Sequence, residues 1–143
     1  MELKSEIEIK ATAEKIWNLL TDTSRFPEWN PFIRRIQGEL KVGQKIVVYI
    51  KPSGTRGMEF NPVILKVDAN RELRWLGRLI LPGLFDGEHI FQIEPLENGF
   101  NRFRQRELFS GILVPLLKKS LNTDTLRGFN EMNKKLKEMA ESD

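Results

Sequence analysis

Cysteine is absent from the 143 residues of this chain, and histidine occurs only once, at position 89. The lack of cysteine excludes disulfide bonds, thiolate nucleophiles and thiolate metal ligands. It is compatible with a reducing cytoplasm, which is where we expect the protein. With a single histidine, a zinc or iron site would need carboxylates for every other ligand. We therefore expect no metal and no cofactor.

Long apolar segments are also missing. The two longest, Leu79–Phe85 and Ile112–Leu117, are interrupted by prolines and are too short to span a bilayer. The first residues lack the apolar stretch of a signal peptide. The net charge of +3 results from 23 basic and 20 acidic residues, mostly interspersed, so it argues only weakly for an anionic partner. Without repeats or a linker, residues 1–143 are expected to form one domain.

Several motifs of known catalytic and nucleotide-binding sites are absent as well. No Gly-x-Ser-x-Gly sequence supplies a nucleophile that could form a triad with His89. No Gly-x-Gly-x-x-Gly sequence occurs, and the segment Gly38–Lys45 lacks the Gly-Lys-Ser/Thr ending of a phosphate-binding loop. These absences disfavour a serine hydrolase and a nucleotide-binding enzyme.

The longest regular pattern is helical and extends from Leu113 to Ala140. Before it, the sequence predicts a strand, two short helices and about six strands joined by short turns. This order predicts an α+β fold of the type β-α-α-β6-α, in which a curved antiparallel sheet wraps around the last helix. Three polar residues share the apolar side of that helix: Asn122, Thr125 and Asn133. They indicate either an adjoining cavity or the rim of the apolar stripe.

The hairpin from Gly87 to Gly111 gives the clearest strand register. Its alternation places three arginines, at 102, 104 and 106, on one face, which must be solvated because unpaired guanidinium groups are too costly to bury. The opposite face turns His89, Gln105 and Glu107 inward among phenylalanines. Nucleic-acid-binding sheets carry aromatics on the basic face, and this hairpin does not, so nucleic acid is disfavoured as a partner.

Two interpretations of the inward polar residues stay open. In the structural one, Glu107, Gln105 and His89 satisfy one another's hydrogen bonds. In the functional one, they orient a mostly apolar ligand in a pocket, and Glu107 could take part in proton transfer. The ligand-facing candidates are Trp17, Trp29, Phe60, Trp75, His89, Phe91, Gln105, Glu107, Phe109 and Phe129. Catalytic residues are unknown, with Glu107 and His89 as the candidates, and no metal ligand is expected.

Several segments resemble the START-like, helix-grip superfamily, and more narrowly the SRPBCC proteins of the polyketide cyclase/dehydrase and lipid-transport type. The resemblance spans the chain and is carried by Ile7–Trp17, Phe26–Phe32, Leu73–Gly77, Gly87–Ile93 and Phe103–Gly111. It implies a curved antiparallel sheet that grips the C-terminal helix, with an apolar cavity between them. It implies no particular mechanism, because members include aromatase/cyclases, lipid and hormone binders and stress-response proteins.

Three functions remain as hypotheses. The leading one is a carrier or sensor that encloses a small hydrophobic molecule or lipid, with ligand access where Leu79–Phe85 approaches Ile112–Leu117. Those two apolar runs could otherwise form a homodimer surface or touch a membrane transiently. The second is a cofactor-independent cyclase- or dehydratase-like enzyme that uses Glu107 and His89. The third is a regulatory or scaffold protein whose cavity has collapsed.

Overall fold

The computed structural model describes residues 1–79 and 81–142, apart from the side chain of Leu79. It contains eight strands: β1 Glu2–Ile9, β2 Ile33–Gln37, β3 Val47–Ile50, β4 Met58–Phe60, β5 Val63–Asp68, β6 Glu72–Leu79, β7 Phe85–Pro95 and β8 Asn101–Ser110. The helices are α1 Ala13–Thr21, α2 Phe26–Trp29 after a 3₁₀ turn at Thr23–Arg25, α3 Val114–Ser120 and α4 Leu126–Glu141. A π-helical turn, Leu121–Thr125, joins α3 to α4, so the C-terminal helix is continuous over 28 residues.

Local sequence signals explain how several of these elements begin and turn. Thr12 caps α1, since its side-chain oxygen accepts a hydrogen bond from the Lys15 N–H at 3.1 Å. Asn98 and Gly99 both have positive φ, 60° and 79°, which closes the β7–β8 hairpin. The period-two alternation then places Phe91, Phe103 and their neighbours on the buried face, as predicted.

The strands form two antiparallel sheets that curve around the last helix. Five strands pair in the order β1-β8-β7-β6-β5, and three pair in the order β2-β3-β4. The two sheets are joined by a bridge between Lys45 and Val63 and by adjoining backbone hydrogen bonds, including Ile64 N–H to Gln44 O at 2.9 Å. The helix α4 packs against β1 and α1. This is the α+β, helix-grip architecture expected from the sequence.

One detail of the strand prediction was wrong. The sequence predicts one strand over Met58–Val67, with an edge strand or a bulge at Asn61-Pro62, but this run forms β4 and β5, which belong to different sheets. The break falls at Asn61-Pro62 because proline lacks the N–H that a central ladder position requires. Seven strands therefore follow the two short helices instead of six.

The arginine face of the hairpin is the outer face, as expected, and its charges are paired. Arg102, Arg104 and Arg106 lie 3.6, 2.7 and 2.6 Å from the carboxylates of Glu8, Glu6 and Glu2 on β1. The pairing of β1 with β8 places Glu8 and Glu6 directly opposite Arg102 and Arg104, and Glu2 diagonally across from Arg106, two residues along the strand. Much of the positive charge on this face is therefore balanced within the sheet.

Candidate functional site

A cavity of about 210 Å³ lies between the curved sheets and the C-terminal helix. Strands β3, β4, β6, β7 and β8, the β3–β4 loop and the π-helical turn all contribute to its wall. The wall is mostly apolar, and its principal apolar side chains are Phe32, Ile50, Met58, Phe60, Phe85, Phe109 and Leu121. A few polar side chains interrupt it: Thr55, Arg56, Glu107, Ser120, Asp124 and Thr125. Such a wall suits a largely apolar molecule with one or two polar groups.

Two glycines that face each other across β6 and β7 leave room for this cavity. Gly77 pairs with Gly87, and both line the space. A Cβ atom added at Gly77 would lie 3.1 Å from the Phe60 ring. A Cβ atom added at Gly87 would lie 2.6 Å from Oε2 of Glu107, closer than such contacts permit. Any larger residue at position 87 would therefore displace the carboxylate.

The π-helical turn shapes the opposite wall. In this turn the N–H of Leu126 bonds to the carbonyl of Leu121, five residues earlier. The wider turn presents Leu121, Asp124 and Thr125 to the cavity, whereas Asn122 is exposed. Turns of this kind occur frequently at functional sites. The three polar residues on the apolar side of the helix therefore have different surroundings. Thr125 faces the cavity, Asn133 is buried in the core and Asn122 faces solvent.

A chain of buried polar side chains crosses the core behind the cavity. His89 Nε2 lies 2.9 Å from Oε1 of Gln105, whose amide nitrogen donates to Oδ1 of Asn133 at 2.8 Å. Asn133 donates to the hydroxyl of Ser5 at 2.9 Å, and that hydroxyl donates to Oδ1 of Asn130 on the surface of α4. His89 and Gln105 are completely buried. Each link satisfies a polar group that would otherwise be costly to bury.

Glu107 connects this chain to the cavity. Its Oε1 lies 3.2 Å from Nδ1 of His89, but the geometry is not that of a hydrogen bond, and Nδ1 has no hydrogen-bond partner in the described part of the chain. Its Oε2 lies over Gly87 on the cavity side. The carboxyl group therefore has one oxygen against a buried imidazole and the other beside the open space.

The imidazole of His89 is held rigidly by aromatic rings. Its centroid is 4.2 Å from that of Phe91 in a stacked arrangement, 5.5 Å from Trp75 and 5.1 Å from Phe129. Because these rings enclose the imidazole on several sides, His89 has little freedom to turn away from Glu107 and Gln105.

The β3–β4 loop, which carries Thr55 and Arg56 of the cavity wall, is tied to the C-terminal helix. Arg127 donates to the carbonyl of Ser53 at 2.5 Å, and the Ser53 hydroxyl donates to Glu131 at 2.7 Å. Arg127 also pairs with Asp124 at 3.1 Å. These contacts hold the loop over the cavity and are separate from the polar chain of the core.

Apolar side chains are exposed where the loop before β7 meets the start of the C-terminal helix. Backbone hydrogen bonds from Ile112 to Gly83 at 3.1 Å and from Leu113 to Leu84 at 3.0 Å join the two runs, as predicted. Leu81, Ile112 and Leu116 are 61%, 72% and 80% exposed. The side chain of Leu79 and all of Ile80, which belong to the same run, lie outside the described residues.

Within residues 1–79 and 81–142, no three histidine, aspartate and glutamate side chains are grouped closely enough to hold a metal ion. None of the helices described is both long and apolar enough to cross a membrane.

Residues 1–141 match the family described as polyketide cyclase / dehydrase and lipid transport. The chain belongs to this family. No curated protein sequence matches it. Members of the polyketide cyclase/dehydrase and lipid transport family carry out different functions. Membership is therefore consistent with ligand binding or with polyketide cyclase-like chemistry, and it does not distinguish between them.

Solved structures share the fold of this family member at low sequence identity. A START superfamily protein from Mycobacterium smegmatis has a TM-score of 0.70 and 16% identity, covering 96% of this chain and 98% of its own. A hypothetical protein from Helicobacter pylori has a TM-score of 0.79 and 19% identity, with 98% and 88% covered. The di-domain aromatase/cyclase StfQ of the steffimycin pathway has a TM-score of 0.77 and 13% identity, with 98% and 50% covered.

The residues proposed from the sequence as ligand-facing take three different positions in this family member. Phe60, Glu107 and Phe109 line the cavity. A second group packs in the core behind the wall and does not line it: Trp75, His89, Phe91, Gln105 and Phe129. Trp17 on α1 and Trp29 on α2 are buried in the core and also lie outside the cavity lining.

Sequence reasoning missed much of the wall. Gly77, Gly87, Leu121 and Asp124 were not among the candidates, although all of them line the cavity; of the lining residues in the π-helical turn, the sequence indicates only Thr125, as a polar residue on the apolar side of the helix. The two facing glycines could have been identified from the sequence, because a glycine within each of two paired strands marks a site where a ligand or backbone can approach closely. No comparable signal identifies the π turn.

Proposed function

We propose that this protein is a carrier or sensor that binds a small hydrophobic or amphipathic molecule in the cavity between sheet and helix. The observation that carries the proposal is the cavity of about 210 Å³, whose mostly apolar wall includes the Glu107 carboxylate and a second carboxylate, Asp124, that is paired with Arg127. The family, whose description includes lipid transport, supports the same function. A volume of this size is below the roughly 300–1,000 Å³ of drug-sized sites, so the ligand should be small.

Binding can be tested by native mass spectrometry of the purified protein together with an organic extract of the same sample. We expect either a stoichiometric extra mass or one-to-one binding of an apolar fluorescent probe of naphthalene size. Thr125→Phe fills the cavity and should abolish probe binding. Thr123→Phe, on an exposed position of the same turn, is the matched control and should bind as the wild type does. A wild type that carries no extra mass and binds no probe would refute the proposal and favour the scaffold hypothesis with a collapsed cavity.

The second candidate function is a cofactor-independent cyclase- or dehydratase-like enzyme. It is favoured by the contact between Glu107 and His89, which places two proton-transfer groups 3.2 Å apart beside the cavity. The aromatase/cyclase StfQ supports it by analogy of fold. Glu107→Gln separates the two functions. In an enzyme this change should abolish turnover and preserve affinity, whereas in a carrier it should alter affinity or stability only.

The exposed apolar rim formed by Leu81, Ile112, Leu116 and Leu117 fits transient contact with an anionic membrane. Lys118 and Lys119 follow the rim directly, and each lysine near an anionic surface contributes about 1 kcal/mol to membrane binding. We expect sedimentation with phosphatidylserine-containing vesicles, less with phosphatidylcholine alone, and loss of binding in Ile112→Ser/Leu116→Ser. A dimer in solution that this double variant dissociates would instead assign the rim to a second copy. The cytoplasmic location stays a prediction.

A further inference from the structure

The backbone carbonyl of Phe129 determines which group donates and which accepts in each hydrogen bond of the chain behind the cavity. A carbonyl oxygen can only accept, and the terminal amide atom of Gln105 that lies 3.4 Å from it must therefore be the NH₂ group. The same NH₂ group donates to Asn133 at 2.8 Å. The opposite orientation of the amide would turn the Gln105 oxygen toward the Phe129 oxygen. Gln105 consequently presents its oxygen to His89.

This orientation decides which nitrogen of His89 carries a proton. Nε2 lies 2.9 Å from the Gln105 oxygen, so Nε2 must be the donor. A neutral imidazole has only one N–H group, which leaves Nδ1 with a bare lone pair. Nδ1 is the buried atom that has no hydrogen-bond partner in the described part of the chain, and it points toward Oε1 of Glu107.

A bare Nδ1 and an ionised carboxylate oxygen at 3.2 Å would repel each other, because the His89 ring is completely buried and the Glu107 side chain is only 13% exposed, so little water screens the contact. One proton must therefore lie at this contact, either on the Glu107 carboxyl or on the His89 imidazole. In both cases the pair is neutral as a whole. In both cases also Oε2 of Glu107, on the cavity side over Gly87, remains a hydrogen-bond acceptor.

We propose that the cavity takes a neutral molecule of one or two rings that donates an O–H or N–H group to Oε2 of Glu107. The inference rests on the proposed binding function and specifies its ligand class. The size follows from the volume, since a cavity of about 150 Å³ already accommodates benzene and this one has about 210 Å³. Phe60, Phe85 and Phe109 provide flat walls for such rings. A neutral pair offers a cationic ligand no counter-charge, and the other carboxylate of the wall, Asp124, is already paired with Arg127 at 3.1 Å.

The first test compares 2-naphthol with 2-methylnaphthalene, which has nearly the same shape but no O–H group. Calorimetric titration gives the affinity ratio of the two ligands for the wild type, Glu107→Met and Glu107→Gln. We expect the wild-type ratio to exceed that of Glu107→Met by about tenfold or more, the usual effect of a lost buried hydrogen bond to a polar partner. Glu107→Gln should keep the wild-type ratio, because its carbonyl remains an acceptor and its NH₂ group can donate to Nδ1 of His89.

Each outcome of this titration has a separate meaning. Equal ratios in the wild type and Glu107→Met would overturn the inference but leave apolar binding intact. Binding of neither ligand would overturn both the inference and the proposed function. Tighter binding of 2-naphthylmethylammonium than of 2-naphthol would also overturn the inference, since it would require an uncompensated negative charge in the wall, which neither the neutral Glu107–His89 pair nor the Arg127-paired Asp124 supplies.

The second test observes the proton itself and needs no variant. His89 is the only histidine in the chain, so the imidazole nitrogens of uniformly ¹⁵N-labelled protein give signals that require no residue assignment. We expect Nε2 to be protonated, either alone or together with Nδ1. A neutral ring protonated only at Nδ1 would overturn the inference, because it would reverse the direction of the hydrogen-bond chain. Gln105→Met removes the acceptor of Nε2–H and should shift the proton toward Nδ1.

Discussion

Replacing Gly128 with alanine should destabilise the protein, although the same change normally stabilises a helix. Gly128 lies in α4 and is buried. A Cβ atom added there would lie 2.2 Å from Cδ1 and 2.6 Å from Cε1 of Phe32. The Phe32 ring is fully buried and packs edge-on against Phe129 with a centroid separation of 5.4 Å. It cannot move aside without disturbing the core or entering the cavity, whose wall it forms.

Two opposing free energies decide the result. Glycine-to-alanine in a helix interior is worth about 1 kcal/mol in favour of folding. Overpacking a closed core costs about 1–3 kcal/mol and occasionally more. An overlap as close as 2.2 Å with ring atoms falls at the upper end of that range. A cost of about 3 kcal/mol against a gain of about 1 kcal/mol lowers the free energy of unfolding by about 2 kcal/mol, and Tm by about 5–8 °C in a chain of this length.

The assay is urea denaturation and thermal unfolding followed by circular dichroism, on Gly128→Ala, Phe32→Leu and the double variant. Each variant is compared by its decrease in the free energy of unfolding. The decrease in the double variant should be smaller than the sum of the two single decreases by at least about 1 kcal/mol, because leucine at position 32 removes the overlap with the new Cβ atom. Lys134→Ala, on an exposed position of the same helix, is the control and should change stability by no more than about 0.5 kcal/mol. The reasoning would be refuted if Gly128→Ala were as stable as the wild type. It would also be refuted if the double variant lost the full sum of the two single decreases in the free energy of unfolding.

Three further changes have definite expected outcomes. Burial alone would raise the pKa of Glu72, but hydrogen bonds from Gln92 and Lys66 and the charge of Arg74 bring this pKa below the usual 4.5. The stability that the ionised carboxylate contributes is therefore present above pH 4.5 and is lost as the pH falls through the lower pKa of the folded state. Glu72→Gln should be less stable than the wild type at pH 7, and in urea denaturation its free energy of unfolding should fall less steeply on acidification. Gly87→Ala should displace the Glu107 carboxylate and weaken 2-naphthol binding about tenfold in calorimetry. Arg127→Ala should leave global stability within about 1 kcal/mol of the wild type but speed amide hydrogen exchange in the β3–β4 loop.

Local chemistry made a large part of the fold predictable. The Asn98-Gly99 turn requires positive φ at both positions and so fixes the register of the β7–β8 hairpin. That register correctly places Gln105 and His89 inside and the arginines outside. The split between β4 and β5 was less predictable, because Asn61-Pro62 is compatible with an edge strand, a bulge or a break. Which of these forms depends on the sheet that each half joins.

The cavity lining was harder to predict than the inward faces. Alternation along a strand identifies the side that a residue faces, but it says nothing of the free volume in front of it. Trp75, Phe91 and Phe129 all face inward, and they fill the core around His89 instead of lining a space. Free volume depends on how rings from several elements pack together, and this is a property of the tertiary structure alone.

The cavity lies where the regular backbone patterns fail. The facing glycines of β6 and β7 remove side chains from one wall, the break at Asn61-Pro62 ends the strand that carries Phe60, and the π turn widens the helix opposite. Each irregularity alone would cost stability without an evident gain. The glycines, Phe60 at the end of its strand and the π turn border a single space, and the Glu107 carboxylate reaches it. Functional sites are where local sequence rules are most often violated, so this convergence supports a ligand site over a packing defect.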